Sequence, residues 1–237
     1  MRVAPAQARL AVVQFPGSNC ERETVRALRD TTSCPVDLVW HADRLDPDAY
    51  AGVVLPGGFA HGDHLRAGAI ARFSTAMHGV KAMAEQGKLV LGICNGFQVL
   101  LEAGLLPGAM LKNASLQFVS DWVACRVERT DTPFTRACQP GQVLRLPIAH
   151  GEGNYTAGSP EALHSLEASR KVVLRYVGAN PNGSANAIAG VINGSVFGLM
   201  PHPERACDDL LGSADGRLIF ESIRATLSDW KETRVAA

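Results

Sequence analysis

Short apolar runs alternate with amphipathic segments along the first half of the chain. Four runs bounded by turn residues predict buried strands: Leu10–Phe15, Val36–His41, Gly52–Leu55 and Leu89–Ile93. Two stretches carry apolar residues at helical spacing: Glu21–Asp30, capped by Ser18 or Asn19, and the stripe Ile70, Phe73, Met77, Val80 and Met83, which ends at Gly87. Repeated strand–helix units predict a parallel sheet with helices on both faces.

The second half of the chain has a different pattern, with strand-like runs separated mainly by turn residues. These runs predict an antiparallel excursion from the sheet: Phe118–Val127, Val143–Ile148, Val172–Val177 and Ala187–Ile192. A further strand, Val196–Met200, and a closing helix, Arg217–Leu227, complete the pattern. The expected fold class is therefore α/β, with a mostly parallel central sheet flanked by helices. Because we find no repeat or linker, we expect one domain over residues 1–237.

Composition removes several classes of function. Lys plus Arg and Asp plus Glu are balanced at 23 each, so charge gives no reason to expect a nucleic acid or an anionic membrane as a partner. No apolar run is long enough to span a bilayer, and Met1–Arg9 lacks a signal-peptide core. The six cysteines are scattered without a Cys-x-x-Cys pair, which favours reduced thiols in the cytoplasm.

Cys94 is the first candidate for a reactive side chain. It follows the apolar run Leu89–Ile93 and precedes a segment, Asn95–Glu102, that reads as the start of a helix. A residue at such a strand-to-helix turn stands on a sharp bend, which is the geometry of a nucleophile elbow. Helix N-termini also favour the thiolate over the thiol.

His202 and Glu204 could supply the base for this thiol. Prolines 201 and 203 flank the histidine, which excludes a helix interior and predicts an extended path. Side chains at i and i+2 of an extended chain share a face, so Glu204 could orient the imidazole. The segment also follows an apolar strand and is expected at the same edge of the sheet as Cys94.

A glycine-rich turn, Pro56-Gly57-Gly58-Phe59, is expected beside the elbow. Its backbone N–H groups, together with that of Asn95, could form an oxyanion hole. Taken alone, Cys94 fits a buried small hydrophobe as well as a nucleophile, and Pro201–Glu204 fits a rigid surface turn. Their shared position at the carboxyl ends of the strands favours a Cys–His–Glu triad.

The remaining histidines and cysteines are expected to have other roles. His61-Gly62-Asp63-His64 resembles a metal-ligand cluster, but further ligands at convincing spacing are missing, so a polar loop is expected and no metal. The others are expected to be packing or surface residues: His41, His78, His164, Cys20, Cys34, Cys125, Cys138 and Cys207. The chain also lacks both nucleotide-binding glycine motifs, so any ATP in the pathway should bind a different polypeptide.

The segments Gly92–Gln98 and Pro201–Glu204 resemble the class I (triad) glutamine amidotransferases, whose fold is flavodoxin-like. Further segments resemble the glutaminase subunits of phosphoribosylformylglycinamidine synthases: residues 15–20, residues 56–59 with 62–63, residues 147–153 and residues 180–184. The resemblance extends from about Ala11 to Phe220.

This resemblance implies a reaction and a set of partners. Cys94 would attack the side-chain amide of glutamine, His202 would act as base and then proton donor, and Glu204 would orient it. The residues implied in glutamine binding are Gly57, Gly58, Phe59, Asn95 and Gln98. Ammonia would pass to a large synthetase subunit that uses ATP and magnesium to convert formylglycinamide ribonucleotide (FGAR) to formylglycinamidine ribonucleotide (FGAM) in purine biosynthesis. A small third subunit would complete the complex, and this chain would bind no cofactor.

Two segments and two other functions remain open. His61 stands where these subunits often carry a tyrosine, which affects contacts of this loop with glutamine or the partner. His150–Gly153 would line the site or the synthetase interface. A cysteine hydrolase acting on peptides or γ-glutamyl compounds is an alternative enzyme, and a regulatory module without turnover is an alternative of another class.

Overall fold

A sheet of nine strands divides the protein into a parallel half and an antiparallel half. The structure, a computed structural model, describes residues 8–235. Residues 1–7, which include most of the N-terminal segment considered above, and the last two residues of the expected domain lie outside this range. The strands are β1 (Leu10–Gln14), β2 (Val36–Trp40), β3 (Gly52–Leu55), β4 (Leu89–Ile93), β5 (Ala109–Leu111), β6 (Val119–Val127), β7 (Val143–His150), β8 (Asn154–Thr156), β9 (Val172–Val177), β10 (Ile188–Asn193) and β11 (Val196–Leu199). The helices are α1 (Glu21–Thr32), α2 (Ala76–Glu85), α3 (Asn95–Glu102), α4 (Pro160–Ala168) and α5 (Arg217–Val235).

The strand order of the large sheet is β2-β1-β3-β4-β11-β10-β9-β6-β7. Neighbours from β2 to β11 pair in parallel, and neighbours from β11 to β7 pair antiparallel. The short strands β5 and β8 form a separate antiparallel pair. The predicted α/β class, with an antiparallel excursion in the second half, is confirmed.

Burial explains why the central strands were readable from the sequence. Every residue of β3, β4 and β11 is buried, as expected for parallel strands covered on both faces. The edge strand β2 instead alternates between less and more exposed positions. Helices α2 and α3 pack against β3 and β4, and α1 packs against β1, β2 and α5. The hydrophobic core therefore extends along the whole sheet, with the fully buried strands β3, β4 and β11 at its centre.

Two local predictions are wrong. The first concerns the helical stripe, because Ile70 and Phe73 precede α2 instead of belonging to it. A 3-10 turn over Ala71–Phe73 is followed by Ser74, whose extended backbone separates the turn from α2. Phe73 is 73% exposed, with the guanidinium of Arg72 over its ring. The residue at the N-terminus of α1 is Cys20, which makes no side-chain cap bond. Ser18 is unavailable as a cap because its Oγ accepts from the backbone N–H of Phe15, closing the turn after β1.

Helix α4 was missed although its start carries a readable signal. Ser159 Oγ accepts from the backbone N–H of Ala162, and Pro160 occupies the first helical position. Serine followed by proline is a typical helix beginning. Within the described range no helix has the length and apolar character needed to cross a membrane, and all six cysteines are free thiols.

Candidate active site

Cys94 occupies a strained position at the end of β4. Its backbone has φ 50° and ψ −107°, which is a conformation that a non-glycine residue rarely adopts. The backbone N–H of Cys94 donates to Leu199 O at 2.8 Å, which fixes the elbow to β11. Gly96 lets α3 approach β3, because a Cβ there would collide with the carbonyl of Leu55. The elbow predicted from the sequence is therefore present.

His202 and Glu204 form a buried pair after β11. His202 Nδ1 and Glu204 Oε1 are 2.6 Å apart, and the two residues are only 2% and 3% exposed. The prediction that they meet agrees with the structure, but the extended path behind it does not. Pro203–Arg205 forms a 3-10 turn, since proline is well suited to the first position of a helical turn. The turn brings the carboxylate to the imidazole.

The hydrogen bonding of His202 leaves one ring nitrogen for chemistry. Nδ1 faces the Glu204 carboxylate and must carry a proton there, whereas Nε2 is buried and has no hydrogen-bond partner among the described residues. Burial opposes the charged imidazole, but the charges of Glu204 and Cys94 outweigh it and raise the pKa of His202 well above its usual value. The ring is therefore able to accept the proton of Cys94 and to hold it while the sulfur is charged.

A cavity of about 270 Å³ opens beside the Cys94 side chain. Its lining consists of Gly58, Phe59, Asp63, Cys94, Gln98, Lys112, Leu116, Gln117, Phe118, Ala149, His150, Gly151 and Glu152. Three of the five residues implied in glutamine binding, Gly58, Phe59 and Gln98, lie in this wall. The backbone N–H of Phe59 is already committed to Gly17 O at 2.9 Å. Of the remaining predicted donors, Gly58 lies in the cavity wall and Asn95 directly follows Cys94 at the start of α3, so their N–H groups are the ones placed to act as the oxyanion hole.

Gly57 and Asn95, the other two, lie behind the cavity wall. A Cβ on Gly57 would come within 2.6 Å of His202 Cε1 and 3.0 Å of Cys20 Sγ, so the glycine makes room for the imidazole. Asn95 Oδ1 accepts from the backbone N–H of Ala60, and its Nδ2 donates to Gln98 Oε1 at 2.9 Å. These bonds hold the glycine turn against α3.

The segment His150–Gly153 contributes to the same cavity. His150, Gly151 and Glu152 line it, and Gln98 Nε2 donates to Glu152 O at 2.5 Å. Burial, with the charge of His202, lowers the pKa of His150 to about 4, so this histidine is neutral near pH 7. His150 Nδ1 is 3.1 Å from Asn113 Oδ1, which fixes its ring.

Asp63 is a cavity residue that sequence reasoning assigned only to a polar loop. Burial and the nearby Glu152 charge raise its pKa to about 6, against a hydrogen bond from Asn95 that lowers it. Its neighbour His61 instead packs edge-on against His41, with ring centroids 5.1 Å apart. The sequence signal that could have identified Asp63 as a cavity residue is its position shortly after the glycine turn.

Cys20 was expected to be a packing or surface residue, and it is buried at 1% exposure. Sequence reasoning missed what it packs against, because its Sγ lies 3.9 Å from His202 Nδ1. Ligand atoms of Cys20, His202 and Glu204 lie within 4.8 Å of one another, as in a metal site. Arg205 Nη2, however, donates to the same sulfur at 3.1 Å, and a guanidinium there disfavours a second cation. Cys20 follows β1, whose carboxyl end lies at the same sheet edge, and this position was the missed signal.

Comparison with known sequences and structures gives consistent results. Residues 7–225 match the family described as the CobB/CobQ-like glutamine amidotransferase domain. A chain in the structure of PurLQS from Thermotoga maritima is 46% identical, with a TM-score of 0.85, over 93% of this chain and 99% of that one.

More distant structures share the fold. A putative GMP synthase component from Thermoplasma acidophilum is 17% identical, with a TM-score of 0.63, over 98% of this chain and 99% of that one. A glutamine amidotransferase from Thermotoga maritima is also 17% identical, with a TM-score of 0.58, over 94% of each chain.

Proposed function

The chain belongs to the CobB/CobQ-like glutamine amidotransferase family, and we propose that it is the glutaminase subunit of a phosphoribosylformylglycinamidine synthase. It would hydrolyse glutamine to glutamate and ammonia, and the ammonia would convert FGAR to FGAM on a synthetase subunit. The observation that carries the chemistry is the buried His202–Glu204 pair at 2.6 Å, with Nε2 left open beside the strained Cys94.

The first half of the reaction forms a thioester. Cys94 gives its proton to His202 Nε2, and the sulfur bonds to the side-chain amide carbon of glutamine. The carbonyl oxygen takes the negative charge and accepts from the backbone N–H groups of Gly58 and Asn95. The C–N bond then breaks, the imidazolium gives its proton to the leaving nitrogen, and ammonia departs.

The second half of the reaction restores the enzyme. Water adds to the thioester carbon and gives a proton to His202 Nε2. The C–S bond breaks, the proton returns to Cys94, and glutamate leaves. Throughout, the Glu204 carboxylate holds Nδ1–H, so that Nε2 keeps facing the sulfur.

The synthetase partner is supported by sequence and by the surface of this chain. The chain that is 46% identical is part of PurLQS, and segments 15–20, 56–59 with 62–63, and 147–153 resemble the corresponding glutaminase subunits. Apolar side chains at the cavity wall are exposed: Phe59 at 43%, Phe118 at 55% and Leu116 at 79%. Exposed apolar patches beside a site are typical of protein interfaces. In the proposed complex, ATP and magnesium bind the synthetase, a small third subunit takes part, and the assembly is cytoplasmic.

The test uses the complex reconstituted from this chain, the synthetase and the small subunit. Cys94→Ala should abolish FGAM synthesis from glutamine while leaving synthesis from added ammonium within about twofold of wild type. Cys138→Ala, which removes another buried thiol outside the cavity, is the matched control and should support both reactions.

Loss of both activities in Cys94→Ala would assign Cys94 a structural role and contradict the proposed mechanism. Protection of Cys94 from alkylation by glutamine separates this function from that of a peptidase. If peptides protect the thiol and glutamine does not, the proposed substrate is wrong.

A further inference from the structure

Cys20 packs on the side of His202 that faces Glu204, away from the nitrogen that serves the nucleophile. Its Sγ is 3.9 Å from Nδ1, while Nε2 is left for Cys94. Cys20 is 1% exposed and is not part of the cavity lining, so its thiol is not placed to touch substrate. Any contribution to the reaction must therefore act through His202.

The hydrogen bonds of the Cys20 thiol define its orientation. The S–H group donates to Asn19 Oδ1 at 3.0 Å, and the sulfur accepts from Arg205 Nη2 at 3.1 Å. Burial raises the pKa of the thiol, while His202 and the guanidinium of Arg205 act in the opposite direction. A neutral thiol is thus placed between a permanent cation and the ring of His202.

Arg205 is close enough to Glu204 to disturb the pair if its position changed. It immediately follows Glu204 in the 3-10 turn, and the Glu204 charge is one of the causes that raise the pKa of Arg205. In the structure the guanidinium donates hydrogen bonds to Cys20 Sγ and, at 3.4 Å, to Glu23 Oε2. Arginine pairs readily with carboxylates, so a released guanidinium would compete with His202 for Glu204.

We propose that Cys20 is a positioning residue for the base: it anchors Arg205 at a distance from Glu204 and supports the ring of His202. Gly57 completes this arrangement, because its missing side chain leaves space for both Cys20 Sγ and the imidazole. The inference rests on the proposed glutaminase function and adds Cys20 and Arg205 to the residues that act on its triad.

The alternative is that Cys20 only fills space in the core, as most buried cysteines do. Packing alone predicts that Cys20→Ala lowers stability without a specific effect on catalysis. It also predicts that removal of Arg205 does not repair the variant. The two roles therefore differ in the effect of a second substitution.

The experiment is a double-mutant cycle in the reconstituted complex, with Cys20→Ala, Arg205→Ala and the combination. Cys20→Ala should lower kcat for glutamine-dependent synthesis by about 10- to 100-fold with KM within about twofold, because a small misplacement of a catalytic group is costly. The double variant should recover at least about fivefold in kcat. Cys20→Ser, which keeps a donor and an acceptor, should remain within about threefold of wild type.

The pH profile gives a readout that a packing role would not move. The titratable groups around His202 are Cys20, Cys94, His150, Glu204 and, through Cys20 and Glu204, Arg205. Cys20 is among the groups that favour the protonated ring, so Cys20→Ala should shift the alkaline limb of kcat to lower pH. Cys34→Ala, which removes another buried thiol after α1, should leave both limbs in place.

An unshifted profile together with no recovery in the double variant would overturn the proposal. Failure of all Cys20 variants to fold, detected by loss of the thermal transition, would also overturn it in favour of a purely structural role. Ammonium-dependent synthesis should be unchanged in every variant. If Cys94→Ala behaves as expected while this cycle shows no coupling, only the Cys20 proposal fails.

Discussion

Gly57 lies directly against the imidazole of His202, although the two residues are far apart in the chain. A Cβ at residue 57 would be 2.6 Å from His202 Cε1, which is closer than real side-chain contacts. The glycine turn therefore shapes the base as well as the wall near the cavity. This relationship gives the turn a second role beside the predicted oxyanion hole.

Gly57→Ala should displace the imidazole and lower glutaminase kcat by about 100-fold, because errors of about 1 Å in a catalytic group have effects of this size. The backbone of Gly57 is not among the positive-φ positions, so alanine is tolerated there apart from the contact. The measurement is steady-state glutamate release by the complex. A wild-type kcat in this variant would show that the imidazole of His202 accommodates the added methyl group without losing its position, and would contradict the prediction.

Glu204→Gln should reduce kcat by about 10³- to 10⁴-fold, because an amide can hold the wrong tautomer of His202 and cannot stabilise imidazolium. Its side chain is fully buried against the ring, so solvent cannot replace the carboxylate. Glu221→Gln, at a partly exposed position of α5, is the control and should retain full activity. A loss of less than tenfold in Glu204→Gln would remove Glu204 from the triad.

Asp63→Asn should stabilise the protein at neutral pH and have little effect in acid. The folded-state pKa of Asp63 is raised from 3.8 to about 6, so the folded protein binds this proton more tightly than the unfolded chain does. The contribution of Asp63 to the free energy of unfolding is therefore fully present below about pH 4 and is lost as the pH rises through about 6. The gain in Asp63→Asn should be about 1 kcal/mol above pH 6, after allowance for screening of this partly exposed side chain.

Denaturant unfolding at pH 3.5 and pH 8 measures this difference. The exposed Asp43→Asn serves as the control and should show no such pH-dependent gain. An equal effect of Asp63→Asn at both pH values would contradict a pKa of Asp63 raised by burial and by the charge of Glu152.

Leu116→Ser should weaken binding to the synthetase by about tenfold, since loss of a buried apolar contact at an interface costs about 1 to 2 kcal/mol. Leu116 is 79% exposed and has a positive φ of 58°, which presents it at the cavity wall. Binding of purified subunits by calorimetry provides the measurement. Leu210→Ser changes a leucine that is 94% exposed in another turn and should bind normally. Equal affinities for both variants would place the interface elsewhere.

The features that the sequence predicted well are local ones. Strand β4 was predicted with its observed bounds and helix α3 with its observed first residue, because a fully buried run is followed by an elbow between two glycines. His202 and Glu204 were found because they are two residues apart. Even for this pair the predicted backbone was wrong, since a 3-10 turn and not an extended chain brings the two side chains together.

Apart from local elements such as α4, the features that were missed involve residues far apart in the chain. Cys20 and His202 are 182 positions apart, and Ala67 N–H reaches Glu152 Oε2 across 85 positions. Spacing along a chain carries no information on such contacts. Only the topology, with the strands β1, β3, β4 and β11 ending at one edge of the sheet, brings these side chains together.

The hydrogen bond from Cys94 N–H to Leu199 O ties the nucleophile to the strand that leads to its base. A second bond, from His202 N–H to Pro147 O at 2.8 Å, anchors the base to β7. Sulfur and imidazole are thus both tied to the sheet, and moving one relative to the other would require breaking the contact between the fully buried strands β4 and β11. We expect a synthetase that accelerates glutamine hydrolysis to act instead on the outer wall formed by Phe59 and the segment 112–118. Control by the partner would then consist of gating access to a preassembled pair.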